Sequence, residues 1–187
     1  MRFWLIRNPI IAYVLPAARS TSITYAAMQS SGELNGSKET GPTTNAHDKL
    51  EASRLKERLK EGRGSQQSYD GCATIPAVHI DEGSHKYVQI TADQSDGNRA
   101  TFVVSKRGAA YHRNAAEPFV ELLEESGYLN IEIDGGGRIF RDDESKSISI
   151  FGYSYGFGQA NHAISKAVVE AQKEFADYNV TWSNEGY

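Results

Sequence analysis

LNIEIDGGGRIFRDDESKSISIFGYSYGFGQANHA, residues 129–163, carries a strand, a hairpin and the loop that opens a helix. Leu129, Ile131 and Ile133 alternate with Asn130, Glu132 and Asp134, the period of two expected of a half-buried strand, and the run is read as ending in Gly135-Gly136-Gly137-Arg138. Ile139 to Arg141 and Ile148 to Phe151 flank the polar turn Asp142 to Lys146, which predicts a hairpin. The glycine-bearing loop Gly152 to Gly158 then opens a helix, in which Ile164, Ala167, Val168, Ala171 and Phe175 recur at i, i+3, i+4, i+7 and i+11.

Working outward, Lys86 to Thr91 alternates Tyr87, Gln89 and Thr91 with Val88 and Ile90, and Thr101 to Ser105 is β-branched; both read as strands. Asn114 to Ser126 reads as a helix, with Asn114 and Glu117 as a capping-box-like start and Gly127 as its stop. Tyr178 to Trp182 reads as a short closing strand. Strands interrupted by two helices without strict βαβ alternation predict an α/β (α+β) fold, a single compact domain with a mixed β-sheet and two main α-helices. It spans residues 76–187, which hold 14 of the 19 aromatic residues.

The first 75 residues differ in kind. Residues 1–32 contain Arg2, Arg7 and Arg19, many hydroxyl residues and no acid, the composition of an organellar transit peptide. Met28 offers a second start that would remove nearly all of this leader, so a cytoplasmic and a mitochondrial form are both expected. Residues 33–75 hold one aromatic, Tyr69, and read as a disordered linker, with a solvated helix expected within AHDKLEASRLKERLKE, residues 46–61. Leu50, Leu55 and Leu59 make only a thin apolar stripe there. The leader and linker are therefore expected to be dispensable for catalysis.

Charge and motifs exclude much. The net charge is −4, and residues 76–187 carry 10 basic against 17 acidic side chains, so neither nucleic acid nor an anionic membrane is favoured as a partner. The longest apolar run of the leader, Ile10 to Leu15, is far too short for a membrane span. One cysteine, Cys72, cannot form an internal disulfide, and five histidines without an HxH or HExxH pair predict no metal site and no cofactor. No phosphate loop ending in Gly-Lys-Ser/Thr occurs. Nothing reads as an oligomer seam, and a monomer is expected.

What remains suits an oxyanion. Gly152-Tyr153-Ser154-Tyr155-Gly156-Phe157-Gly158 at a helix start offers backbone N–H groups, and Ser154 adds a hydroxyl. His112 stands just before the Asn114 helix, where the dipole should favour the neutral imidazole that a general base requires. In an acidic domain, Lys86 and Arg138 are candidates for the positive cluster that a phosphate needs.

These residues carry a resemblance. Lys86-Tyr-Val, Tyr111-His112, Gly135 to Ile139, Phe151 to Ala163 and the ending Tyr178 to Tyr187 resemble, in order, the blocks of the 14 kDa phosphohistidine phosphatase and janus family, over about residues 75–187. The resemblance implies cofactor-independent hydrolysis of the P–N bond of phosphohistidine, and of phospholysine, on histidine-phosphorylated proteins. It implies His112 as the catalytic histidine, Lys86 as a phosphate-site lysine, Ser154, Tyr155 and Gly156 as the phosphate loop, and Arg138 as a supporting arginine. The family usually places a small residue and Asp after the catalytic histidine; here Arg113 and Asn114 stand, and Arg113 adds charge beside the site. Water attack with His112 as base and attack by His112 itself are both compatible with the sequence. Janus relatives are associated with sex differentiation, so the rival reading is a non-catalytic phosphohistidine reader or developmental regulator.

Overall fold

Six strands form one mixed sheet in the order β1-β3-β2-β4-β5-β6 in the computed structural model, which describes residues 46–62 and 74–186. The chain runs α1 (Ala46–Glu61), β1 (Val78–His79), β2 (Gly83–Asp93), β3 (Arg99–Ser105), α2 (His112–Glu125), β4 (Leu129–Asp142), β5 (Ser147–Phe151), α3 (His162–Glu170), a 3₁₀ turn (Lys173–Phe175) and β6 (Asn179–Trp182). The pairs β2–β3, β2–β4 and β4–β5 are antiparallel, whereas the short β1 and β6 add in parallel at the two edges. The mixed α/β architecture expected from the sequence is the observed one. The leader read over residues 1–32 and most of the linker lie outside the described residues. No helix among the described residues is long and apolar enough to cross a membrane.

Both faces of the sheet are covered, so β2 is buried continuously from Lys86 to Ile90 instead of alternating with solvent. On one face Tyr87, Val103, Ile139, Ile148, Ile150 and Val180 pack with Val169 of α3 and with Phe175. On the other, Phe102 meets Phe119 of α2 at 5.4 Å and Tyr128 at 5.5 Å between ring centroids. These aromatic contacts supply packing beyond their area burial.

Two elements depart from the sequence reading. The strand expected to end in Gly135 to Arg138 runs on through the three glycines and the first arm of the hairpin as one 14-residue strand, β4. A bulge at Asp134, where Gln89 pairs with Gly135 but Ile90 with Ile133, flips the facing of the residues beyond it. In α3, Ile164 is 44% exposed, and the buried side is His162, Ser165 and Val169. Its polar members are satisfied internally: Tyr87 Oη donates to His162 Nδ1 at 2.5 Å, and Ser165 Oγ donates to Gln89 Oε1 at 3.0 Å.

The helix expected to be solvated is present as α1, but its inner edge is not in water. Ala52, Leu55 and Leu59 are 1%, 5% and 8% exposed, whereas Leu50 is half exposed. Arg58 reaches Glu124 of α2 at 2.8 Å. Leu59 and Lys56 line a cavity of about 220 Å³ whose opposite wall is Ile131, Ile133 and Asp134 of β4.

Candidate active site

The glycines of β4 are where the site is built. A Cβ on Gly136 would lie 2.6 Å from Tyr87 O, 3.0 Å from His112 Cδ2 and 3.2 Å from Ser154 Cβ. Only a bare strand lets the His112 ring and Ser154 come down together onto this part of the sheet. Lys86 of β2 and Arg138 of β4 are register partners across the same ladder, and Val88 pairs with Gly136, so both cations lie on the face that receives His112.

His112 is the first residue of α2, two positions earlier than the start the sequence predicts at Asn114. Tyr111 is the N-cap, and its N–H donates to Asn114 Oδ1 at 3.0 Å. His112 is buried, and its Nε2 lies 2.9 Å from Gly137 O. A carbonyl only accepts, so Nε2 carries the hydrogen and Nδ1 is the basic nitrogen of the neutral ring. Burial above all, helped by the charges of Lys86 and Arg138, pushes its pKa from 6.5 down to about 4, against the pull of the Gly137 bond. The neutral state is the one the helix dipole predicts; burial is its principal cause.

Stability inherits this shift. The unfolded chain takes up this proton near pH 6.5, the folded one only near 4. The stability present above the first value is lost as pH falls through the second, on the order of 3 kcal/mol. ¹⁵N NMR of the imidazole is expected to show the Nε2–H tautomer at pH 7 and a His112 midpoint near 4. A midpoint above 6 would contradict the burial argument.

The loop between β5 and α3 closes on itself. Ser154 N–H donates to Gly158 O at 3.2 Å, Gly158 N–H to Ser154 O at 2.8 Å, and Phe157 N–H to Ser154 Oγ at 3.1 Å. With its lone pair engaged by Phe157, the buried Ser154 hydroxyl keeps its hydrogen to donate. Among the described residues nothing accepts from the Gly156 N–H. The loop is sewn to β4 by Gly136 N–H to Gly158 O at 3.0 Å and Ala160 N–H to Gly136 O at 3.2 Å.

His162, beyond the loop, is a clamp. Its Nε2–H donates to Gly152 O at 2.8 Å while Nδ1 accepts from Tyr87, so both ring nitrogens are committed, and burial lowers its pKa. The remaining sequence candidates lie farther out. Arg113 bonds Glu117 at 3.1 Å and lies 3.7 Å from Asp48 of α1, so its charge faces carboxylates of the protein itself. Tyr155 is 44% exposed and its hydroxyl accepts from Tyr153 Oη at 2.9 Å. His112, Lys86, Arg138, Ser154 and Gly156 thus gather around one patch of sheet and loop, with Arg113 and Tyr155 at its margin. Sequence reasoning misses the contribution of α1, whose contacts to this loop are made by Lys49, Ala52 and Lys56.

A neutral base beside two cations, close to a glycine loop with a backbone N–H and a hydroxyl, can hold a tetrahedral anion and accept a proton from a water beside it. Similar proteins bear on this chemistry. Residues 72–179 match the model of the Janus/Ocnus family (Ocnus). The chain is 38% identical to the human 14 kDa phosphohistidine phosphatase over 122 residues, 62% of this chain and 95% of that one. It is 37% identical to the sex-regulated protein janus-A of Drosophila melanogaster over 127 residues, 65% of this chain and 89% of that one. The pig (Sus scrofa) 14 kDa phosphohistidine phosphatase is 34% identical over 122 residues, 62% of this chain and 94% of that one. This chain belongs to the Janus/Ocnus family.

Proposed function

We propose that this chain is a protein histidine phosphatase that hydrolyses the P–N bond of phosphohistidine in proteins, with phospholysine as a second substrate class. The observation that carries the reading is the buried, neutral His112, its Nε2–H committed to Gly137 O and its Nδ1 left basic beside Lys86 and Arg138. The phosphoryl oxygens are held by Lys86, Arg138, the Ser154 hydroxyl and the Gly156 N–H. A water attacks phosphorus and gives its proton to His112 Nδ1. As the new P–O bond forms, the P–N bond breaks and the departing substrate nitrogen takes a proton, which the His112 imidazolium can return. No step asks for covalent chemistry from the protein, so positioning and charge stabilisation supply most of the rate.

Phosphate release from a histidine-phosphorylated protein is the test, with release well above the uncatalysed rate as the expected result. The janus-A relatives support a second reading, a phosphohistidine reader that acts in regulation, because they are as similar as the phosphatases. Saturable binding of a phosphohistidine peptide without phosphate release would select that reading.

The two kinds of anion contact should differ in weight. Lys86 is 4% exposed, so its charge acts in a poorly screened setting, and Lys86→Met is expected to lower kcat/KM about 10²-fold. Ser154→Ala removes a neutral donor and leaves Phe157 N–H without its acceptor; about a tenfold loss is expected. Kinetics at fixed ionic strength check the order. A larger loss in Ser154→Ala would move the hydroxyl closer to the reacting atoms than this mechanism has it.

A further inference from the structure

One face of α1 runs along the loop of the candidate site. Lys49, Ala52 and Lys56, spaced i, i+3 and i+7, meet three consecutive loop residues in turn. Lys49 Nζ lies over the Tyr155 ring, 5.8 Å from its centroid. Ala52 is 1% exposed and lies against Gly156. Lys56 Nζ donates to Phe157 O at 3.0 Å and lies 5.8 Å from the centroid of the Phe157 ring.

The loop's own sequence is matched to this contact. Gly152 and Gly158 have φ of +74° and +86° and need glycine for their backbone; Gly156 has no positive φ. What it lacks room for is a side chain, because a Cβ there would lie 2.8 Å from Ala52 Cβ. A glycine that no turn requires, facing an alanine from a helix far earlier in the chain, is a seat for that helix.

Lys56 acts on the peptide plane that matters. Phe157 C=O and Gly158 N–H belong to one planar unit and point in opposite directions. Holding the carbonyl outward therefore aims the Gly158 N–H at Ser154 O, the 2.8 Å bond that closes the turn. In the closed turn Ser154 Oγ takes the Phe157 N–H and the Gly156 N–H is left for an anion.

We propose that α1 is a strut of the phosphate loop and that Lys56 is a positioning residue for the reaction, acting through the carbonyl of Phe157. The proposal rests on reading residues 154–158 as the oxyanion loop. It gives residues 46–61 a place in the working enzyme, although they precede the matched region, and runs against the expectation that everything before residue 76 is dispensable.

The test uses the full chain, inorganic phosphate as the probe, and its inhibition constant alongside kcat and KM. Lys56→Met keeps the apolar stem but loses the bond to Phe157, and is expected to weaken phosphate inhibition and kcat/KM about tenfold each. Lys56→Arg, which keeps a donor, should recover most of both. Lys60→Met removes the same charge one turn on, from a side chain bonded to Glu57, and should change neither by more than about twofold. Ala52→Val, which presses on Gly156, should weaken phosphate inhibition as Lys56→Met does, by a second route to the same loop. Wild-type phosphate inhibition in Lys56→Met, or equal losses in Lys56→Met and Lys60→Met, would overturn the strut while leaving the phosphatase reading intact. A wild-type chain that neither releases phosphate from substrate nor is inhibited by it would overturn both.

Discussion

Replacing His112 by Gln is expected to lower turnover of a phosphohistidine protein by about 10² to 10⁴, the usual contribution of a positioned general base. Glutamine is chosen on geometry. Its Nε2 stands at a similar reach from Cβ as the imidazole Nε2, so it can still donate to Gly137 O and spare that carbonyl from burial without a partner. It has no nitrogen able to take a proton at the place of Nδ1. Alanine would be a poorer choice, because His112 is only 5% exposed and its ring packs down onto Gly136. Stability gives a second readout. Below about pH 6 the variant should lose less stability than the parent, since the buried imidazole whose pKa is pushed down to about 4 is gone. Turnover near the parent's with an unchanged melt would remove His112 from the chemistry.

The parts of the fold visible in the sequence are those where burial and hydrophobicity coincide. β3 carries Thr101, Phe102, Val103 and Val104 and is buried from Phe102 onward, and the β4–β5 hairpin is marked by its polar turn, so there the residue types report their surroundings directly. α1 and α3 show the opposite case. The buried edge of α1 includes Asp48 and Ala52, and that of α3 includes His162 and Ser165, residues that score as polar or small whatever face they occupy. Their burial is decided by partners distant in sequence: Arg113 and Gly156 for α1, Tyr87 and Gln89 for α3. A pattern read along one segment carries no record of them.

The site is legible in its chemistry and less so in its support. His112, Lys86, Arg138 and Ser154 are residue types able to serve an oxyanion, and the strand pairing and the closed turn bring them to one place. The glycine triplet is harder to read. Three glycines normally weaken a strand and mark its end, and nothing within LNIEIDGGGR tells an end from an interior approached on both faces. The answer lies in backbone and rings from β2, β5, α2, α3 and the loop, each within 3.2 Å of where a side chain would begin.

That crowding makes Gly137→Ala the substitution expected to cost the fold most. The added methyl would lie 2.5 Å from Phe151 O, 2.9 Å from His162 Cε1 and 3.0 Å from Tyr87 Cε1. None of the three can yield cheaply. Phe151 O belongs to the backbone of β5, whose Phe151 pairs with Arg138. His162 is fixed at both nitrogens by Gly152 O and Tyr87 Oη, and Tyr87 is fully buried. Overpacking of a close-packed interior costs about 1 to 3 kcal/mol, and with backbone on one side and a hydrogen-bonded pair on the other the upper end is expected. For a domain of this size that is a fall in melting temperature on the order of 10 °C. Gly97→Ala is the control: Gly97 has φ of +83° but nothing within 4 Å of the new Cβ, so only backbone strain of about 1 kcal/mol opposes it. Thermal melts of the two variants at pH 7 decide the matter. If Gly137→Ala melts no lower than Gly97→Ala, β4 and β5 can part to admit a methyl, and close approach is not the reason that glycine stands at this point of the strand.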